Sequence, residues 1–307
     1  MTAVLDELPL RANVAVIRLR SLGDCVLSTP ALHLLKAARP DLRVAVVVDP
    51  VWSAIYEGNP DVSAILPPTV AAVRQFEPAL VLNLHGGTTS ARLTALSGAR
   101  WRAGFAHYRF RFLYNIRMPR AQEVLGVERP VHTAEHVASA IFSLGVTVGA
   151  IPRAQIFTER SQFATDRPYA LIHPVASEPA KTWNAAGFLA VANFLRNEAN
   201  LEPVFLGGPG DDLAAFREYR IAQGQTLVET KKLVAGARLF FGNDSGPAHL
   251  AAAFGIPVTV LFGNSDPAIW GPWRTESTVL SVANIDEICA ADAIASVRAL
   301  LPVGARA

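Results

Sequence analysis

Short apolar runs alternate with stretches of helical period along most of the chain. Residues 14–17, 44–48, 62–66 and 79–84 are apolar runs of strand length. Between the first two, Leu27, Ala31, Leu34 and Leu35 recur at helical spacing and predict a helix over 26–38, ended by Pro40 and Asp41. A helix over 89–97 precedes a strand-like 100–105. The stretch 107–120 is rich in arginine and aromatic residues but has no clean period, so it reads as loop. Ala134, Val137, Ala138, Ile141 and Phe142 form the apolar stripe of a helix over 132–144.

The pattern then starts again. Residues 145–167 read as a linker between domains, with one extended piece at 154–157. A strand at 169–172, a helix over 185–197 and a strand at 203–206 follow. Next come a helix over 211–219, a minimal strand at Leu227-Val228 and a short helix over 231–235. An apolar strand ends at Gly242, an alanine-rich helix runs to Gly255, and another strand ends at Gly263. A last helix covers 286–300. Such alternation predicts an open, mostly parallel sheet, twice over. The expected fold class is α/β, with two Rossmann-like doubly wound domains facing a central cleft. The expected domains are 1–157 and 158–285, with 286–307 a C-terminal helix packing back across them.

Composition narrows the class. A chain of 307 residues suits two domains better than one. Half of it is apolar and its net charge is +2, so it reads as a packed globular protein, and the basic excess is too small to argue for nucleic acid. Cys25 and Cys289 lie far apart, without metal-ligand spacing, and predict neither a disulfide framework nor a metal site. Residues 1–10 carry acids and no long apolar core, which predicts no signal peptide. No apolar run reaches bilayer length. The expected location is the cytoplasm.

Four loops fall at the carboxyl ends of predicted strands, where open α/β sheets bind ligands. The first is Ser21-Leu22-Gly23-Asp24. It lacks the glycine pattern of a dinucleotide site, which argues against a dehydrogenase. Gly23 allows an unusual turn, and Asp24 is either a helix cap or a base. The second, 173–183, places Lys181 before a helix start, where the helix dipole prefers an acid. A lysine reaching inward there would hold phosphate as a point charge; otherwise it is simply solvated. In the third, Gly207 and Gly208 would let backbone approach a ligand, and Asp211 or Asp212 could take a ribose diol, although a plain turn needs neither. In the fourth, 243–249, Asp244 or Ser245 caps a helix and Pro247 suits its first turn. Its backbone N–H groups suit an anion, typically phosphate, and His249 lies one turn beyond Ser245 on the same face. A cap alone would explain that turn too.

With these loops in order, the chain resembles glycosyltransferase family 9, the bacterial heptosyltransferases that build the inner core of lipopolysaccharide. The resemblance rests on 18–24 with Thr29-Pro30-Ala31-Leu32, on 176–183, on Gly207-Gly208-Pro209, and on 241–249 with Phe262-Gly263 and Asp266-Pro267. These matches span nearly the whole chain in the family's order and spacing. The resemblance implies a GT-B fold, inversion at the sugar carbon, no metal, and no cofactor besides a nucleotide-sugar co-substrate. It makes Asp24 the catalytic acid-base residue. Gly23, Arg18 and Arg20 fall on the acceptor side. Ser177, Lys181, Gly207, Gly208, Asp211, Asp244, Ser245, Gly246 and His249 fall on the donor side.

The expected donor is ADP-heptose, and the expected acceptor is a lipopolysaccharide-core or related lipid-linked glycan. A monomer without nucleic-acid partners is expected, peripheral at the inner face of the cytoplasmic membrane and touching it transiently through its acceptor. Arg102, Arg109 and Arg111 are further candidates to meet an anionic acceptor. Some residues depart from the family's pattern. Val175 stands where glycine is usual, Asn184 where proline often follows the tryptophan, and Asn264-Ser265 in place of a common Pro-Thr pair. The competing readings are a family member using another nucleotide sugar, a GT-B-type nucleotide-sugar epimerase, and a two-lobed solute-binding protein. The expected lack of a signal peptide argues against the last.

Overall fold

The computed structural model describes residues 4–159 and 167–301. Part of the expected linker (160–166), the tip of the N-terminal stretch (1–3) and the end of the C-terminal segment (302–307) lie outside the described residues. The chain forms two compact units, Met1–Phe157 and Thr158–Ala307.

The first unit holds six strands: β1 Asn13–Ile17, β2 Arg43–Val47, β3 Ala64–Leu66, β4 Leu80–Asn83, β5 Trp101–Phe105 and β6 Ile116–Met118. All pairs are parallel, in the order β3-β2-β1-β4-β5-β6. Helices α1 Val4–Glu7, α2 Leu22–Ala38, α3 Val70–Gln75, α4 Thr88–Leu96, α5 Ala121–Leu125 and α6 Thr133–Ser143 connect or flank them. The central strands are buried along most of their length, which explains why they read as continuous apolar runs rather than alternating ones.

Helix α2 packs against α6 and contains Pro30. A proline there cannot donate to the carbonyl of Val26. The Thr29 hydroxyl donates to that carbonyl instead, at 2.9 Å, and accepts from the Gln155 N–H at 2.9 Å. The Thr29-Pro30 pair thus repairs the helix and ties down the extended piece at 154–157.

The second unit repeats the plan. Its strands are β7 Tyr169–His173, β8 Glu202–Gly207, β9 Arg220–Gln223, β10 Leu239–Asn243, β11 Val258–Phe262 and β12 Ser277–Ser281. They run parallel in the order β12-β11-β10-β7-β8-β9. Counted within each unit, both orders are 3-2-1-4-5-6, the doubly wound arrangement. Its helices are α7 Ala185–Asn197, α8 Leu227–Gly236, α9 Gly246–Ala253, α10 Pro267–Trp270 and α11 Ala290–Ala299. Asn184 caps α7, its side-chain oxygen accepting from the Gly187 N–H at 2.9 Å, so this departure from the family's proline carries its own local function. The terminal helix α11 lies against α7. Its Ala293 and Val297 join Phe188, Val191 and Leu195 in one buried cluster, so this segment completes the second unit's core.

Four expectations give way. The helix over 211–219 is only a 3-10 turn at Ala214–Phe216, because Phe216 stacks on Phe205 at 4.2 Å and draws the chain back to the sheet as β9. Leu227-Val228 opens α8 rather than forming a strand. Thr226 and Glu229 make the reciprocal cap there, with Glu229 N–H donating to Thr226 Oγ1 at 3.2 Å and Thr226 N–H to Glu229 Oε2 at 2.8 Å. The loop over 107–120 contains a 3-10 turn, Arg111–Leu113, and the edge strand β6. The last helix divides into a 3-10 turn at Ile285–Glu287 and α11.

Candidate functional site

In each sheet the strand order reverses at one point, between β1 and β4 in the first unit and between β7 and β10 in the second. In open α/β sheets, loops diverge at such a point and leave a crevice at the carboxyl ends of the strands. Three of the four candidate loops start at these two points, after β1, β7 and β10.

After β1 the chain passes through Arg18 and Arg20 into α2. Ser21 is the N-cap, so Asp24 sits inside the first turn of the helix and is not the cap itself. The Asp24 carboxylate accepts from the Ser21 N–H at 3.3 Å and from its hydroxyl at 3.2 Å. It also forms an ion pair with the Arg18 guanidinium, and its side chain keeps 20% exposure. Arg18 is buried and donates a second hydrogen bond to the Leu84 carbonyl, just past the end of β4. Burial draws this guanidinium below its usual pKa range. Arg18, expected as an acceptor contact, is therefore occupied with Asp24 and the β4 loop. Arg20 is exposed. Gly23 is helical and outside the left-handed region, so the unusual turn expected of it is absent.

The neighbouring β4 loop is held by Asn83. Its side-chain oxygen accepts from the N–H groups of His85 and Gly86, both at 3.0 Å, and its amide donates to Thr94 and Tyr114. His85, half-buried in this loop, has its pKa lowered by desolvation and then by Arg18 and Arg20. Neither residue stood out in the sequence, because an Asn-Leu-His-Gly-Gly run reads as an ordinary strand end.

In the second unit, Gly242 pairs with His173 across β10 and β7. A Cβ on Gly242 would stand 2.7 Å from the His173 carbonyl oxygen, so glycine is what lets the two loops leave the sheet side by side. Asn243 accepts from the Trp183 N–H at 3.1 Å and so ties the far end of the 173–183 loop to β10. Lys181 ends a 3-10 turn, Pro179–Lys181, and its Nζ stands 3.5 Å from Asp244 Oδ2. Ser265, from the loop after β11, donates to the same oxygen at 2.7 Å. Ser245 stands at the N-cap position of α9, with Gly246 and Pro247 opening the helix, but its hydroxyl makes no capping bond and lies 3.0 Å from His173 Nδ1. Burial pushes the His173 imidazole down to about 4, so it is neutral near pH 7. His249 is buried in α9. Ser177 is exposed in the loop.

Lys181, Asp244 and Ser245 are thus brought together, and His173 and Ser265 join them. Ser265 could not be found from local spacing, since it comes from another strand's loop. The Gly207-Gly208 loop follows β8, one strand further out. There Asp211 folds back, accepting from the Gly208 N–H at 2.6 Å, while Asp212 accepts from the Ala214 N–H at 3.0 Å. Among the described residues no group of three or more histidine, cysteine or acidic side chains could hold a metal ion, and no helix is long and apolar enough to cross a membrane.

Comparison with known proteins adds a family. The family model of glycosyltransferase family 9 (heptosyltransferase) matches residues 71–293. Lipopolysaccharide heptosyltransferase 3 of Escherichia coli is 27% identical to the chain, with 91% of this chain and 96% of that protein covered. Among solved structures, the family 9 glycosyl transferase of Veillonella parvula superposes with a TM-score of 0.81 at 22% identity, covering 94% and 97% of the two chains. The E. coli ADP-heptose lipopolysaccharide heptosyltransferase II superposes with a TM-score of 0.78 at 19% identity, covering 94% and 98%. These likenesses establish the GT-B fold.

Proposed function

The chain belongs to glycosyltransferase family 9, the heptosyltransferase family, and we propose that it moves a heptose-like sugar, with inversion and without a metal, from a nucleoside diphosphate donor to a lipopolysaccharide-core or related glycan. ADP-heptose is the donor we favour, since it is the sugar nucleotide named for the E. coli heptosyltransferase II that shares the fold. The observation that carries this reading is the meeting of Lys181, Asp244 and Ser245 at the switch point of the second sheet.

Transfer has two chemical needs. The acceptor hydroxyl must lose its proton, and the departing diphosphate must have its charge stabilised. In this reading Lys181 and the N-terminal end of α9, at Ser245-Gly246, serve the second need. The lysine acts as a point charge and the helix end as a fixed dipole. The Ser245 hydroxyl can donate to a phosphate oxygen while it accepts from His173, provided that the neutral imidazole carries its proton on Nδ1. Asp244 would face sugar hydroxyls, and Asp211 or Asp212 the ribose.

Asp24 serves the first need. The acceptor oxygen attacks the anomeric carbon from the face opposite the diphosphate. Its proton passes to the Asp24 carboxylate, the new C–O bond forms, and the old bond breaks with its electron pair leaving on the diphosphate. Arg18 pairs with the carboxylate and orients it. The exposed Arg20 would meet an anionic acceptor. Incubating the protein with ADP-heptose and a core-oligosaccharide acceptor, and following free ADP, tests the reading. Acceptor-dependent ADP release supports it. No release with ADP-heptose, but release with another sugar nucleotide, would reassign the donor.

A further inference from the structure

Between Glu77 and Glu123 the chain carries seven arginines and no carboxylate side chain, although the whole protein has a net charge of only +2. The structure gathers part of this segment on one face. Helix α4 exposes Arg92 and Leu96, one turn apart on the same side. The 3-10 turn Arg111–Leu113 lies against α4 and exposes Arg111 and Phe112, with Arg109 exposed just before it. Leu96 is 42% exposed and Phe112 is 69% exposed. None of Arg92, Arg109 and Arg111 forms an ion pair among the described residues.

The outward setting of Phe112 is built, not slack. Two residues on, Tyr114 is buried over Gly104, where a Cβ would stand 2.4 Å from its ring, and its hydroxyl accepts from Asn83 at 3.1 Å. Arg102 is spent on the same crossover, donating to the carbonyls of Leu113 and Ala99. With Tyr114 and Arg102 pinning the chain from beneath, Arg111 and Phe112 have only the outer side to occupy.

Charge complementarity selects the occupant. Surfaces of soluble proteins normally mix both signs, and a segment free of carboxylates over this length is complementary to an anionic plane. An aromatic and an aliphatic side chain amid arginines fit the boundary between lipid headgroups and acyl chains. Leu96 offers no stacking platform to a nucleic-acid base, and the chain lacks the overall basicity of a nucleic-acid binder. We propose that this face seats the protein directly on an anionic bilayer, with Phe112 and Leu96 entering the headgroup–acyl boundary and the arginines pairing with lipid phosphates. The seat is independent of the donor chemistry, so its failure would leave that reading untouched.

The test is co-sedimentation of the intact protein, without donor or acceptor, with phosphatidylcholine vesicles with and without phosphatidylglycerol. We expect binding only to the anionic vesicles, weakening as salt is raised. Phe112→Ser should lower partitioning about tenfold. Arg109→Gln with Arg111→Gln should lower it about 25-fold, roughly fivefold per charge. All these residues are exposed, so melting temperatures should hold, and Val279→Ser, on the edge strand β12, should bind like wild type. Equal binding to neutral vesicles, or variants that partition like wild type, would overturn the proposal. So would an oligonucleotide that displaces the protein from anionic vesicles at equal phosphate concentration, or self-association abolished by Phe112→Ser.

Discussion

Lys181 Nζ lies 3.5 Å from Asp244 Oδ2, and the same carboxylate oxygen accepts the Ser265 hydroxyl at 2.7 Å. The site's cation is therefore held by the site's own anion, and in the proposed reading it is shared with an entering diphosphate. Lys181→Ala should reduce kcat/KM for the donor by about 1.5–3 kcal/mol of lost charge-assisted contact. It should leave thermal stability nearly unchanged, because the pair is partly solvated and such pairs add little. Wild-type donor kinetics in this variant would show the lysine to be only a partner for Asp244.

The Ser245–His173 pair gives the second unit an acid sensitivity. Burial holds the His173 pKa at about 4, below the ordinary 6.5 of an unfolded chain. A folded pKa lowered in this way means that the unfolded state binds the proton first. The stability contribution is full above about pH 6.5 and is lost as pH falls toward 4, at up to about 1.4 kcal/mol per pH unit. His136, in α6 of the first unit, is also held at about 4 by burial and behaves alike. Melting temperatures at pH 7 and pH 5 should differ less in a His136→Asn, His173→Asn protein than in wild type. Equal differences in the two proteins would contradict the assignment.

Gly104 offers a test of the fold that positions the first site. A Cβ there would stand 2.4 Å from the buried Tyr114 ring, whose hydroxyl meets Asn83. Gly104→Ala should destabilise the unit by about 1–3 kcal/mol through overpacking. That corresponds to a melting temperature lowered by roughly 2–12 °C for a domain of this size. An unchanged melting temperature would mean that the ring moves aside freely.

In the proposed reading, Lys181 and the start of α9 stabilise the departing charge without a metal. Transfer should continue in excess chelator. Activity lost to chelator and restored by a divalent cation would overturn that role.

What could be read from the sequence follows the physics of each signal. The central strands and the longer helices were legible because burial on both faces makes continuous apolar runs, and helical period marks α2, α6 and α7. The edge strand β12 was not, since its exposure alternates and Ser277 to Ser281 look like loop. The start of α8 was written in Thr226 and Glu229, but the apolar pair Leu227-Val228 imitated a strand. At the sites, Asp24, Lys181, Asp244 and Ser245 stood out through spacing around short loops. His173 and Ser265 were visible only as residues, because what joins them to Ser245 and Asp244 is the side-by-side placement of strands distant in sequence, while Arg18 was expected to meet the acceptor rather than Asp24.

The central claim is that Asp24 takes the acceptor's proton, and Asp24→Asn tests it most directly. Asparagine still offers an oxygen to the Ser21 N–H, so the start of α2 should persist. It leaves the buried Arg18 without its counter-charge, so some loss of stability is expected and turnover must be measured where the variant is fully folded. Donor affinity should hold, since the donor loops belong to the other unit. The account predicts turnover lowered about 10²–10⁴-fold in the folded variant. Retention of more than about a tenth of wild-type turnover, with chemistry shown to be rate-limiting, would contradict it.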